Sequence, residues 1–307
     1  MGDTEVRPIA PAAAASFAAR PPLVYLYLAI IVVSWAANWP LMKLALAEAP
    51  PLAFVLLRLF GTVLVMAPML LAMRAPLVPL RGERLRLFWV GELQMAGFMV
   101  CGMIGLALVP AGRAIVLAFT MPLWAIPLEL RHGFAGRRHY QLLGAAIGFA
   151  GLLLFMNPGL VDWRDPRIVG GNLMLLGAAI CWALGSVIYR RRRWRSGFWT
   201  QTFWQVAVSS VAVAAIAAPE MTGQPIGWSP VLLGVLAYNW LITTALGYFL
   251  WNKVLVAMPA ATAGQIMTLT PILGFLLSTA VFGGAISWDV VLSIALIIAG
   301  IVVSLRA

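Results

Sequence analysis

The chain has 307 residues, 63% of them apolar and 10% charged, with a formal net charge of +11. Soluble globular chains hold roughly 45–50% apolar and 25% charged residues. Too few polar residues remain here to make a wet exterior, which excludes a soluble enzyme, a nucleic-acid binder and a disordered chain and leaves a bilayer as the solvent.

Residues 1–22, with Pro8, Pro11, Pro21 and Pro22, read as a disordered cytoplasmic lead. The small-residue run Ala12–Ser16 precedes the apolar run that starts at Leu23, the reverse of the order in a cleavable signal peptide. A bilayer core about 30 Å thick needs about 20 apolar residues at 1.5 Å each. Ten segments qualify: Leu23–Leu46, Leu52–Met73, Leu87–Leu108, Ala111–Leu130, Tyr140–Met156, Ile168–Tyr189, Phe198–Ala218, Pro230–Asn252, Ala260–Phe282 and Ile286–Leu305. The expected fold is therefore an all-α polytopic membrane protein, with a first five-helix unit over 23–156, an outer linker over 157–167 and a second unit over 168–307.

Cytoplasmic loops retain Lys and Arg. With the N-terminus inside, the inner segments hold, among others, Arg74, Arg81, Arg84, Arg86, Arg131, Arg137, Arg190–Arg193 and Arg306, and the outer loops only Arg113, Arg164 and Arg167. Both termini are expected in the cytoplasm, at the inner (plasma) membrane. The basic run Arg190–Arg193 would meet anionic headgroups.

The sequence repeats itself. Pro110-Ala-Gly-Arg-Ala114 matches Pro259-Ala-Ala-Thr-Ala263, and a second proline follows each at equal spacing, Pro122 and Pro271. At a slightly smaller offset Trp35-Ala36 matches Trp182-Ala183. Five spans per unit make the second unit enter the membrane from the opposite side. Inverted repeats of this kind belong to secondary transporters, with the substrate site near the midplane between them.

Ionisable residues within spans are functional candidates. Lys43 and Arg58 fall near the outer ends of the first two spans, where snorkelling to the headgroups or structural pairing is the first expectation and contact with a substrate carboxylate the second. Glu92 is the one carboxylate clearly inside the membrane, either hydrogen-bonded structurally or meeting a substrate ammonium or a coupling proton. Trp35, Trp182 and Trp240 lie near span centres, too deep for an interfacial belt, and serve either the core or an aromatic substrate wall. Asn38 and Gln265 are candidate polar contacts. Pro40, Pro122, Pro127 and Pro271 are candidate hinges, since proline frees a backbone carbonyl. Gly144, Gly148, Gly151 and Gly300 read as close-packing positions. Cys101 and Cys181 form no CxxC and read as free thiols. No Walker-type loop or HExxH occurs, and no cofactor is expected.

Trp35-Ala-Ala-Asn38-Trp-Pro-Leu-Met-Lys43, Pro51-Leu-Ala-Phe-Val-Leu-Leu-Arg58, Tyr248-Phe-Leu-Trp251, Met258-Pro-Ala260 and Leu269-Thr-Pro271 together resemble EamA-type carriers of the drug/metabolite transporter superfamily. Gly283-Gly284 departs from the Gly-Glu that often closes the ninth helix there, so no role for that carboxylate carries over. The resemblance implies a cavity lined mainly by helices 1, 3, 4, 6, 8 and 9, and brings Trp124, Tyr238 and Tyr248 into the candidate site. It implies export of amino acids, other metabolites or drugs, and looks closest to exporters of amino acids, aromatic ones included. A membrane-embedded enzyme, the remote alternative, would need paired catalytic groups at one depth, and Glu92 stands alone.

Overall fold

The computed structural model describes residues 21–109, 111–130, 138–156, 164–223, 225–282, 287–304 and 306. Among them all regular structure is helical: α1 (Pro21–Ala45), α2 (Pro51–Ala72), α3 (Arg81–Leu108), α4 (Ala111–Ala118 and Met121–Leu130), α5 (Arg138–Met156), α6 (Pro166–Arg190), α7 (Phe198–Gly223), α8 (Pro230–Ala257), α9 (Ala260–Met267 and Leu269–Phe282) and α10 (Trp288–Ser304). The lead over 1–20, residues 157–163 of the linker and Gly283-Gly284 lie outside the described residues.

Seven described helices are long and apolar enough to cross a bilayer: α1, α2, α3, α6, α7, α8 and α9 through Leu277. His139–Phe155 of α5 and Trp288–Ser304 of α10 are apolar but shorter. The third helix begins at Arg81, six residues before the hydropathy boundary at Leu87, because its first two turns carry Arg81, Glu83, Arg84 and Arg86. Glu83 is nonetheless buried there, accepting from the Arg195 and Ser196 backbone N–H groups at 2.6 and 3.1 Å.

Two helices are broken, and proline explains both. Pro122 and Pro271 lack the N–H that would bond the carbonyl four residues back, and the breaks fall just before them, at Phe119–Thr120 and at Thr268. At each break a threonine hydroxyl folds back onto its own helix: Thr120 donates to the Leu117 carbonyl at 2.7 Å and Thr268 to the Gln265 carbonyl at 2.6 Å. Pro40 lies inside α1 without interrupting it.

α3 and α8 each contain a π-helical segment, Glu92–Gly97 and Asn239–Leu246. Their first residues are 147 apart, the offset that relates Trp35 to Trp182. The contacts repeat at the same offset. Glu83 meets the α6–α7 loop as above; Ser229, ahead of α8, donates to Glu48 of the α1–α2 loop at 2.7 Å. α2 packs on α7, and α5 on α10. At the α5–α10 crossing a Cβ on Gly144 would lie 2.5 Å from the Gly300 carbonyl oxygen, and one on Gly300 2.5 Å from that of Gly144. Gly151 is similarly tight against Ser293, while a Cβ on Gly148 would meet open space.

Candidate functional site

A cavity sits where α1, α2, α3, α4, α6 and α8 meet. Its wall is aromatic. Trp35 of α1 and Trp182 of α6 meet edge to face, with centroids 5.1 Å apart at 85°. Tyr248 of α8 lies 5.7 Å from Trp35 and 5.6 Å from Trp182, and Phe98 of α3 is 4.8 Å from Trp182. Trp39, Phe119 and the thioethers of Met42, Met99 and Met103 complete the apolar lining. Such rings offer apolar area together with a face that attracts cations.

The π segments fix two of these rings. Widening a helix to i→i+5 bonding disturbs its carbonyl ladder, and the loosened carbonyls take side-chain donors. Trp35 Nε1 donates to the Thr243 carbonyl in α8 at 3.0 Å, and Tyr248 Oη to the Gln94 carbonyl in α3 at 3.0 Å. Both bonds join the first half of the chain to the second.

Two polar residues enter the lining, Asn38 and Arg58. Asn38 is 4% exposed and its Oδ1 has no partner. Arg58 is 8% exposed. Its Nε donates to Thr244 Oγ1 at 2.9 Å, Nη2 to Thr243 Oγ1 at 3.3 Å, and Nη1 faces Met42 Sδ at 3.8 Å. These partners are two hydroxyls and a thioether. Burying a guanidinium costs several kcal/mol unless an anion faces it, and no carboxylate lines the cavity.

Lys43 is exposed, whereas Arg58 turns inward and pairs with Thr243 and Thr244. The signal for Arg58 was rotational: Phe54, Arg58 and Thr62, four residues apart and on one helix face, are all buried, while Phe60 and Leu64 on another face are exposed. The lining also takes in α2 where the resemblance implied α9.

Of the candidate residues, Trp35, Asn38, Trp182 and Tyr248 meet at this cavity. Gln265 lines a smaller one between α4, α5, α9 and α10, which also touches Phe119 and Pro122. Its amide donates to the Gln141 carbonyl at 3.4 Å. Pro271 is buried outside both linings. Trp124 donates to Thr120 Oγ1 at 3.3 Å, and Tyr238 to the Ser34 carbonyl at 2.9 Å. Trp240 donates to the Leu57 carbonyl at 2.9 Å and packs on Gly61. Glu92 opens the α3 π segment, half-buried and off the lining, with its Oε1 enclosed and unpartnered.

The sequence profile of the EamA-like transporter family matches residues 22–157 and 169–306. The chain belongs to the EamA-like transporter family. Two relatives come from Bacillus subtilis (strain 168). Uncharacterized transporter YoaV is 25% identical over 91% of this chain and 96% of its own. Uncharacterized transporter YvbV is 30% identical over 54% of this chain and 53% of its own. A crystal structure aligns over 93% of this chain and 97% of its own, with a TM-score of 0.74 at 20% identity, which is a likeness of fold. The apolar helices and the EamA-like family together make the chain a multi-pass membrane transporter, with lipid as its solvent and a small molecule as its cargo.

Proposed function

We propose that this transporter is a secondary carrier exporting small amphiphilic metabolites across the plasma membrane, amino acids with aromatic or other apolar side chains first among them. It works by alternating access through the central cavity. In this reading ten helices cross the membrane as two inverted five-helix repeats, with both termini cytoplasmic.

The cavity lining carries the reading: a ring wall, one guanidinium and one free amide oxygen at a junction of helices from both halves. The rings suit an apolar body, and the polar pair suits the ends of an amino acid. Support for inversion comes from the paired π segments, the paired proline breaks and the paired loop contacts, each recurring at nearly one offset. Two near-equivalent halves give inward- and outward-open states of similar energy. The cross-half bonds Trp35–Thr243 and Tyr248–Gln94 would break and re-form as the halves move.

Reconstitution tests this. Proteoliposomes loaded with unlabelled phenylalanine are expected to accumulate labelled phenylalanine by exchange, and a panel of apolar amino acids to compete. A multidrug exporter, the alternative, would instead be inhibited by lipophilic cations and not by amino acids. Exchange no faster than in protein-free vesicles, for every compound of the panel, sinks the carrier reading for these substrates.

A further inference from the structure

We propose that Arg58 is the carboxylate anchor of the central cavity and that the cavity selects its cargo by that carboxylate and an apolar body, with an α-ammonium dispensable. This rests on the carrier reading above and narrows it.

Three observations meet here. Arg58 is buried, lines the cavity, and its partners are all neutral. A guanidinium presents its donors in a planar fork that matches a carboxylate. Thr243 and Thr244 hold one edge of that fork, on Nε and Nη2. The edge toward α1 carries only the long contact to Met42 Sδ, and a thioether is a weak acceptor. A carboxylate entering from the cavity would replace that weak contact with charge-assisted bonds. The protein thus holds its cation with hydroxyls and leaves the counter-charge to be supplied.

Asn38 places the next atom of the cargo. It stands one helical turn before Met42 on α1 and so on the same face. Its Oδ1 is buried without a partner in the same lining. An acceptor at that point receives a donor on the α-carbon, either an ammonium or a hydroxyl. No acid in the lining favours the ammonium over the hydroxyl. Trp35, Trp182 and Phe98 then receive the apolar body. The class fitted is α-amino and α-hydroxy acids with aromatic or branched apolar side chains. An aryl amine lacking the carboxylate would bring a cation to a cavity that already holds one.

The test uses purified full-length protein in detergent and in proteoliposomes. Quenching of tryptophan fluorescence reports binding, since Trp35, Trp39 and Trp182 line the cavity. The probes are phenylalanine, 3-phenyllactate and 2-phenylethylamine. Phenylalanine and 3-phenyllactate are expected to bind within a few-fold of each other, and phenylethylamine about ten- to hundredfold more weakly. Arg58→Gln is expected to remove that preference by weakening only the two acids; Arg58→Lys restores part of it, because it keeps the charge and loses the fork. Asn38→Asp, which plants a carboxylate in the lining and leaves Arg58 in place, is expected to weaken both acids and keeps the test open if the Arg58 variants misfold. Phenylethylamine binding as tightly as phenylalanine, or an acid preference untouched in a folded Arg58→Gln or Asn38→Asp protein, overturns the anchor. If exchange flux of any of the three persists beside either result, the carrier reading survives while the anchor falls; absence of both flux and quenching fells both.

Discussion

At the scale of single residues, the rings around the cavity are held by specific constraints. Trp240 is an example. Its Nε1 is tied to the Leu57 carbonyl at 2.9 Å, and its indole fills the space beside Gly61, where a Cβ would lie 2.2 Å from Cε2 and Nε1. Because the ring is tied, it cannot step aside. Gly61→Ala is therefore expected to cost about 1–3 kcal/mol by overpacking, read as a lower unfolding midpoint in mild detergent. In a Trp240→Leu background the same substitution should cost under about 0.5 kcal/mol, the residue pair being coupled through one contact. Equal penalties in the two backgrounds would show that the contact is not the cause. Trp35→Phe keeps an aromatic ring but loses the bond to the Thr243 carbonyl and part of the buried indole; such interhelical bonds average about 0.6 kcal/mol. Its stability should fall by more than that, the lost ring volume adding a packing term, and exchange flux should fall too, since the bond joins the two halves. Trp35, Trp182 and Asn38 were legible as candidates for the lining from apolar depth and polarity along the chain, and Tyr248 from the resemblance. The direction Arg58 faces was not, because hydropathy gives depth along a helix but not rotation about it, and a long basic stem near a span end admits either direction.

At the scale of elements, the helix breaks and crossings follow from residues the sequence displays openly. Pro122 and Pro271 predicted irregularity in α4 and α9, and that is where the helices part. The π segments were not legible, since neither ELQMAG nor NWLITTAL carries a proline; a widened turn is set by packing and not by propensity. Helix starts show the same division. The backbone N–H groups of Ala260 and Ala261 donate to the two Glu129 oxygens at 2.9 and 3.2 Å, and those of Leu52 and Ala53 to Glu220 Oε2 at 2.7 and 3.1 Å. These caps come from distant helices and satisfy N-terminal donors that Pro50 and Pro259 cannot cap with a side chain. Glu129→Ala is expected to cost about 1–2 kcal/mol of unfolding free energy, as loss of a helix N-cap does. The α5–α10 crossing offers a sharper contrast. Gly300→Ala drives a methyl into the Gly144 carbonyl at 2.5 Å and the Gly148 amide nitrogen at 2.6 Å, both backbone. The helices must separate, at about 1–3 kcal/mol. Gly148→Ala meets nothing within 4 Å and should stay within about 0.5 kcal/mol of the parent. Thermal unfolding of the two variants side by side checks both, and a Gly148→Ala protein as unstable as Gly300→Ala would contradict the geometry.

At the scale of the whole molecule, the contacts between loops constrain the path of the chain through the membrane. Glu48 meets Ser229, so the α1–α2 and α7–α8 loops lie on one side. Glu83 meets Arg195 and Ser196, so the α2–α3 and α6–α7 loops share a side. α2 is long enough to cross, which makes these two sides opposite. α3 then returns to the side of Glu48. α4 follows it directly and ends at Glu129, which lies 3.9 Å from Arg190 at the end of α6. Broken as it is, α4 thus has its ends on opposite sides. In the proposed path α6 crosses back to Arg190, and α5, although short, crosses as well. At the other end of the chain Ser304 of α10 packs against Gly144, in the second turn of α5, which places the end of α10 with Arg190. These contacts support the ten-span path, with both ends of the chain in the cytoplasm, that we propose. Single cysteines in a Cys101→Ser, Cys181→Ser background test it. Ala47→Cys and Gly227→Cys should react with a membrane-impermeant maleimide on intact cells; Arg81→Cys and Arg195→Cys should react only after permeabilisation. Labelling of Ala47→Cys and Gly227→Cys from opposite sides would contradict the loop contacts themselves. Labelling of all four in the reversed sense would leave the inverted architecture standing and turn the carrier around, so that a cavity expected to load from the cytoplasm would load from outside.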